Sequence, residues 1–553
     1  MTEFSKIMNK HPLLNWRVSS IVNLLVLIFL IAGIILGCAA CIAQYQTIRP
    51  LWCDEAAIAG SVLSRDFATL VSSPLDWGQS APIGYLYTVK LSTHAFGYGD
   101  GALRLFSLLC WVGVVCLLWR MGRTVFQCSI SATLFAIFIF VTNAFYMRYA
   151  HELKPYMNDN FWILLVLYMF WRYWYGKLKP WQFSIVCAVA YMFSMASAFA
   201  IAASYALILA RLIRTYWSHG PSRNMTTELL SIVPLAMIGS VITLCWVLPA
   251  TYNAGGKEYW EMWKFPLLPL SSNEFEAWWV MVRRISLNSG LIYWGALLLA
   301  GSGLFFAIKR SGRNRCTVIC AALTILFTLI ASNRGLYPMA PRLIQFILLL
   351  LIVIAMYGYE ELTLAWKTKS LCGKISSYIL GAVLLFGASL SIDDAKLGNV
   401  WKQYESACKT KSRDGYLKPY RLMVQGGDKV QALYLGALSE HVYLWLKAYY
   451  EDKYGVTPEY AWHKNTKRGP RLFIVSRDIK KTHKKGKILQ NQVDESLKWL
   501  KKYKTAYILL CHDKPDIVPF LKELGEVKVL YRNDGIELYQ FAWKGANFPQ
   551  KQP

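Results

Sequence analysis

Residues 19–43 form an apolar run without one charged side chain. A helix of about 20 apolar residues crosses the roughly 30 Å hydrocarbon layer of a membrane, and few other environments tolerate such a run. Cleaved signal sequences carry apolar regions of only about 7 to 15 residues, so this run reads as a retained first helix, although "ILGCAAC" resembles a lipoprotein cleavage site. A mean hydropathy of +0.31 and 22 tryptophans extend the conclusion beyond the first helix. A chain of 553 residues this apolar is a membrane protein.

Further apolar stretches predict helices near 103–119, 129–147, 157–175, 182–197, 199–214, 228–249, 287–308, 316–332, 342–358 and 375–391, making eleven with the first. With the N-terminus in the cytoplasm, Lys6, Lys10, Arg17, Arg120, Arg123, Arg172, Lys177, Lys179, Arg211, Arg214, Arg223, the "KRSGRNR" run, Lys367, Lys369 and Lys374 all fall on the inner side. Every inner loop is then basic, as insertion requires. Loops 44–102, 146–156, 250–286 and 333–341, and the tail from about 392, face outward. The cysteines show no metal-binding or disulfide spacing, apart from a Cys408–Cys511 pairing open to the outer tail. The sequon at Asn224 lies on an inner loop, where it would not be glycosylated.

From about residue 392 the pattern becomes lysine-rich and mixed, which marks a second domain spanning 392–553 after a membrane domain spanning 1–391. "KVQALYL", "RLFIVS" and "AYILLCHD" read as strands, and "SEHVYLWLKAYYEDKYG", "DESLKWLKKY" and "IVPFLKELG" as amphipathic helices. "EVKVLY" and "IELYQFAW" flank an Asn-Asp-Gly turn. This alternation predicts a soluble α/β domain on the outer face. The tail's roughly thirty Lys and Arg against about eighteen Asp and Glu would favour anionic lipid or acidic glycans.

Ionisable groups at a membrane lip are functional candidates by default. Three clusters share the outer side: Asp54 and Glu55, with Gln79 and Arg104 in and after the same loop; "RYAHELKPY", containing Arg148, His151, Glu152, Lys154 and Tyr156; and "RGLYPMAPR", containing Tyr337 and Arg342. Singly, each has a plain structural reading. Paired acids can cap a helix, arginines can reach lipid phosphates, and prolines can end helices. Together they would line one outward cavity with proton acceptors and phosphate-binding cations.

These motifs, in this order, resemble the GT-C superfamily of membrane glycosyltransferases, in the bacterial branch related to protein O-mannosyltransferases and the lipid A aminoarabinose transferase. The matching pieces are Asp54–Glu55, "QSAPIGYLY" with "FGYGDGALRLFSLL", "HELKPY", and "YPMAPRLIQF", spanning about residues 50 to 350. His151 stands where the family has glutamine, Lys154 where it has arginine, and Ile83 where a second proline is usual. Lysine keeps the charge but lacks the bidentate fork of arginine.

The resemblance implies a GT-C-like fold and a sugar donor linked through monophosphate to a polyprenyl lipid. It implies Asp54 as general base, with Glu55 and Glu152 orienting substrate or sharing a divalent Mg, Mn or Ca ion. Arg148, Lys154 and Arg342 would hold the donor phosphate, and Gln79, Arg104, His151, Tyr156 and Tyr337 would line the substrate site. The acceptor would be a hydroxyl of a glycolipid, polysaccharide or protein at the outer face of a bacterial inner membrane, with no nucleic acid involved. A polymerase or ligase using a diphosphate-linked glycan, a lipid or glycan transporter, and a non-catalytic scaffold stand as alternatives. No Walker or Rossmann glycine loop is present to bind a nucleotide.

Overall fold

The computed structural model describes residues 12–46, 51, 53–75, 79–97, 99–220, 292–309, 315–340, 342–367, 433–435, 505–511, 525–533 and 536–544, with isolated positions between them. The chain groups into two compact units, one of residues 1–46, 80–95 and 101–404 and one of residues 47–79, 96–100 and 405–553.

The first unit is helical. In chain order it contains α1 (Pro12–Gln46), α4 (Ile83–Phe96), α5 (Asp100–Arg120), α6 (Ile130–Thr142), α7 (Ala144–Tyr149), α8 (Tyr156–Trp174), α9 (Pro180–Phe193), α10 (Ser197–His219), α11 (Ile292–Lys309), α12 (Arg315–Asn333) and α13 (Gln345–Lys367); α2 and α3 belong to the other unit. Ten of these overlap nine of the predicted membrane helices, α6 and α7 sharing the predicted 129–147. The predicted segments 228–249 and 375–391, and Asn224, lie outside the described residues. Among the described residues, five segments are long and apolar enough to cross a membrane: Leu24–Gln46, Asp100–Val125, Ser197–His219, Arg315–Asn333 and Gln345–Leu364. The protein is therefore a multi-pass membrane protein.

Among the described residues, two of the predicted crossings depart from a regular span. The predicted helix 129–147 breaks at Asn143, whose backbone is extended (φ −76°, ψ 119°) and whose side-chain oxygen accepts from the Phe145 and Tyr146 amides at 2.9 and 3.3 Å. An asparagine that caps a new helix competes with continuation of the old one. Helix α9 has 14 residues, about 21 Å of rise and short of the hydrocarbon thickness. It stops at Ser194, whose backbone turns extended. Within the predicted outer loop 44–102, helix α4 buries a face of Tyr85, Leu86 and Val89.

Packing separates faces that the sequence renders equally apolar. On α1, Leu25, Ile28, Ile35 and Leu36 are exposed, whereas Leu30 and Cys41 are buried. Lipid-facing side chains gain no more from leaving lipid than from staying, so small residues and close fit decide which face turns inward. Helices α11 and α13 meet through Gly303 and Gly358, where a Cβ at Gly303 would lie 3.1 Å from the Gly358 nitrogen. The middle of the unit is aromatic: Phe138, Phe140, Tyr146, Phe170, Phe183 and Phe346 are fully buried.

The second unit contains α2 (Cys53–Ser64), α3 (Phe67–Ser72) and a four-stranded sheet of order β1-β2-β4-β3, formed by Leu433–Leu435, Thr505–Cys511, Gly525–Asn533 and Ile536–Trp543. Asp66 caps α3, accepting from the Thr69 amide at 2.6 Å. Strands β1 and β2 run parallel, while β4 pairs antiparallel with both β2 and β3. Asn533 opposes Ile536 as the Asn-Asp-Gly sequence predicts. The predicted strand 471–476, the three predicted helices of the tail and Cys408 lie outside the described residues.

Candidate functional site

The turn between α7 and α8 carries the densest set of buried polar side chains. His151, Glu152, Lys154, Asn158, Asp159 and Asn160 are all buried within ten residues of sequence. Burying so many polar groups is costly unless they are satisfied, and the surrounding helices supply several of the partners, while Asn160 Oδ1 has none among the described residues. Arg148 on α7 and Glu152 in the turn are one helical turn apart, and Arg148 Nε donates to Glu152 Oε1 at 2.9 Å. The arginine side chain remains 64% exposed, against 10% for the glutamate. The glutamate therefore aims an arginine whose outer nitrogens face outward.

Helix α5 holds the backbone of the turn. Ser107 Oγ donates to the Glu152 carbonyl at 2.9 Å and lies 3.4 Å from the Tyr85 hydroxyl of α4. His151 Nε2 is 3.4 Å from Cys41 Sγ near the end of α1, and its ring lies 6.1 Å from that of Tyr45. Tyr45 in turn donates to the Gly101 carbonyl at 2.7 Å, one turn before the buried Arg104. Tyr156 packs edge-on against Tyr149 at 5.3 Å.

Helix α8 opens with Asn158, Asp159 and Asn160, and each reaches a different neighbour. Asn158 Nδ2 donates to the Phe193 carbonyl at the end of α9. Asp159 Oδ1 accepts from Ser194 Oγ at 2.6 Å, in the break between α9 and α10. Asn160 Nδ2 donates to Gln345 Oε1 at 3.3 Å, at the start of α13. The sequence reading passed over these residues and Gln345. Three consecutive polar residues inside a predicted membrane helix were the available signal.

The third motif stands beside this end of α8. Tyr337 donates to the Leu343 carbonyl at 2.8 Å and packs against Phe199 at 5.1 Å, and the Gln345 amide donates to the Arg342 carbonyl at 3.0 Å. In the first unit Arg104, Arg148, His151, Glu152, Lys154, Tyr156, Tyr337 and Arg342 stand at or next to the ends of α5, α7, α8 and α13. Asp54, Glu55 and Gln79 belong to the second unit. Both carboxylates occupy the first turn of α2, with Glu55 buried and Asp54 partly exposed.

Among the described residues no group of three or more His, Cys, Asp and Glu side chains is gathered to hold a metal, and Glu152 is engaged by Arg148.

No protein-family profile and no curated protein matches the sequence. Solved structures resemble the fold, among them two of one protein. The crystal structure of ArnT from Cupriavidus metallidurans in the apo state aligns over 93% of this chain and 98% of its own, with TM-score 0.50 and 12% identity. The crystal structure of the same protein bound to undecaprenyl phosphate aligns over 93% of this chain and 99% of its own, with TM-score 0.49 and 13% identity. The likeness to the apo structure is one of fold. The particular fold it is similar to is that of ArnT.

Proposed function

We propose that the protein is an inverting membrane glycosyltransferase that moves a sugar from a polyprenyl-monophosphate donor to a hydroxyl of an outer-face glycolipid, polysaccharide or protein. The observation that carries the reading is the polar turn at residues 148–160, where Lys154 and several hydrogen-bonding groups are buried at the end of a helix bundle and Arg148 stands exposed beside them. A phosphate headed by a lipid tail needs both a cationic lip and an apolar flank, and this place supplies both.

In the proposed reaction the acceptor oxygen attacks the anomeric carbon of the sugar. The bond between that carbon and the phosphate oxygen breaks, the lipid monophosphate leaves, and Asp54 takes the acceptor's proton. One displacement inverts the anomeric configuration. Arg148, Lys154 and Arg342 compensate the charge that grows on the leaving phosphate. Glu152 keeps Arg148 in position, while Glu55, Gln79, Arg104, His151, Tyr156 and Tyr337 orient donor and acceptor. No step is assigned to a metal ion. The membrane is proposed to be a bacterial inner membrane, with the N-terminus cytoplasmic and both the site and the region 392–553 outside.

The direct test is release of sugar from a polyprenyl-monophosphate sugar by purified protein with a hydroxyl acceptor. Arg342→Ala is expected to weaken donor use more than Arg342→Lys, because lysine retains a charge for the phosphate. Equal turnover in both variants and the parent would make Arg342 a lipid-contacting residue only. Orientation is checked separately. A cysteine introduced at Ser80 or Tyr460 should react with a membrane-impermeant maleimide from outside, and one at Gly312 should not. The opposite labelling pattern would invert the topology and remove the outer site.

A further inference from the structure

Gln345 is a buried side chain whose two functional ends are used by two different parts of the site. Its Oε1 accepts from Asn160 Nδ2 on α8 at 3.3 Å, and its Nε2 donates to the carbonyl of Arg342 at 3.0 Å. Its backbone carbonyl accepts from the Tyr146 hydroxyl of α7 at 3.0 Å. Asn160 Nδ2 also donates to the carbonyl of Tyr156, at 3.0 Å. Gln345 therefore joins the segment bearing Arg342 to the helices on either side of the Arg148–Tyr156 turn. It is also the first residue of α13, where a glutamine is not needed as a helix former or a cap.

We infer that Gln345 is a positioning residue that sets where Arg342 stands relative to the 148–156 turn, acting through a clamp of Tyr146, Asn160 and Gln345. An amide suits the task because it accepts with one atom and donates with the other, so a single planar group fixes two partners at once. A carboxylate at 345 could still accept from Asn160 but would set an oxygen against the Arg342 carbonyl. An apolar residue would serve neither partner. The functional consequence rests on the proposed phosphate role of Arg342, whereas the clamp does not.

The experiment uses full-length protein in detergent micelles and compares the parent with Gln345→Leu, Gln345→Glu and Asn160→Leu. Three quantities are read: amide hydrogen exchange over residues 337–346, binding of undecaprenyl phosphate, and turnover at saturating polyprenyl-monophosphate sugar. Gln345→Leu should speed exchange over 337–346 and raise the dissociation constant or donor KM by about tenfold, while kcat stays within about threefold. Gln345→Glu should do nearly as much, because only the Asn160 half of the clamp survives. Asn160→Leu should act in the same direction, and the double variant should be no worse than Gln345→Leu, since both remove one shared clamp.

Unchanged exchange over 337–346 in Gln345→Leu would overturn the inference. So would losses of kcat and of donor affinity that track global unfolding in every variant, which would make Gln345 part of the packing alone. Faster exchange in a protein whose parent form binds no undecaprenyl phosphate would uphold the clamp and remove the donor reading instead.

Discussion

Asp54→Asn is expected to lower glycosyl transfer by roughly 100-fold or more, the usual scale for losing a general base, while donor binding survives. The asparagine keeps the size and hydrogen-bonding reach of the carboxylate but cannot take the acceptor's proton. The competing structural role is concrete. Asp54 and Glu55 occupy the first turn of α2, where negative charge is favoured by the helix dipole. That interaction contributes about 0.3 to 1 kcal/mol at an exposed terminus. A purely structural Asp54 therefore predicts a small loss of thermal stability and parent-like turnover, the reverse of the catalytic prediction. Glu55→Gln should be milder in turnover if Glu55 only orients substrate, and because Glu55 is buried, its unfolding temperature must be read alongside. Glycosyl transfer and donor binding, measured separately in the same membranes for all three proteins, decide the matter. Near-parent transfer by Asp54→Asn would sink the mechanism and return the pair to a helix cap.

Gly358→Leu is expected to abolish recovery of folded, monodisperse protein. Helices α11 and α13 touch backbone to backbone at this point. A Cβ on Gly358 would lie 2.7 Å from the Gly303 nitrogen and from Ser302 Oγ, and closer still to the Leu299 carbonyl oxygen. Overpacking a core usually costs about 1 to 3 kcal/mol because side chains shift to absorb it. Here the Leu299 oxygen and the Gly303 nitrogen are main chain and cannot rotate away, so the helices would have to separate along their shared face. That separation also strips the close van der Waals contacts that drive association where water is absent. Gly301→Leu on the same α11 serves as the control, since nothing lies within 4 Å of a Cβ there. The two variants add the same side chain to one pair of helices, so gel filtration and thermal unfolding in detergent should separate them cleanly. Equal behaviour would mean that the α11–α13 contact does not hold the bundle together.

How much of this was legible beforehand differs from element to element. The apolar runs located ten of the described helices, because a chain leaving water has to bury every backbone polar group in its own helix, and composition alone reports that. The hairpin of β3 and β4 was legible for an equally local reason, two alternating strands around Asn-Asp-Gly. The motifs carrying Arg148, Glu152, Lys154 and Arg342 were visible as charged residues at the ends of apolar runs, where charge has a cost and so a purpose. Asn143 and Ser194 were also in plain view, yet their effect was not. Hydropathy averages over a window, and a single side chain that caps or ends a helix disappears in the average.

The sequence by itself determined that the chain is a membrane protein, where most of its helices lie, and which charged motifs stand at their ends. Tertiary structure alone decided that Gly303 meets Gly358, that Gln345 serves both Asn160 and Arg342, and that the polar opening of α8 bonds to three different neighbours. The reason is the solvent. Lipid and protein interior are almost equally apolar, so hydrophobicity fixes that a segment is buried but not against what. The choice falls to shape and hydrogen bonding between residues far apart in sequence, which no local pattern records.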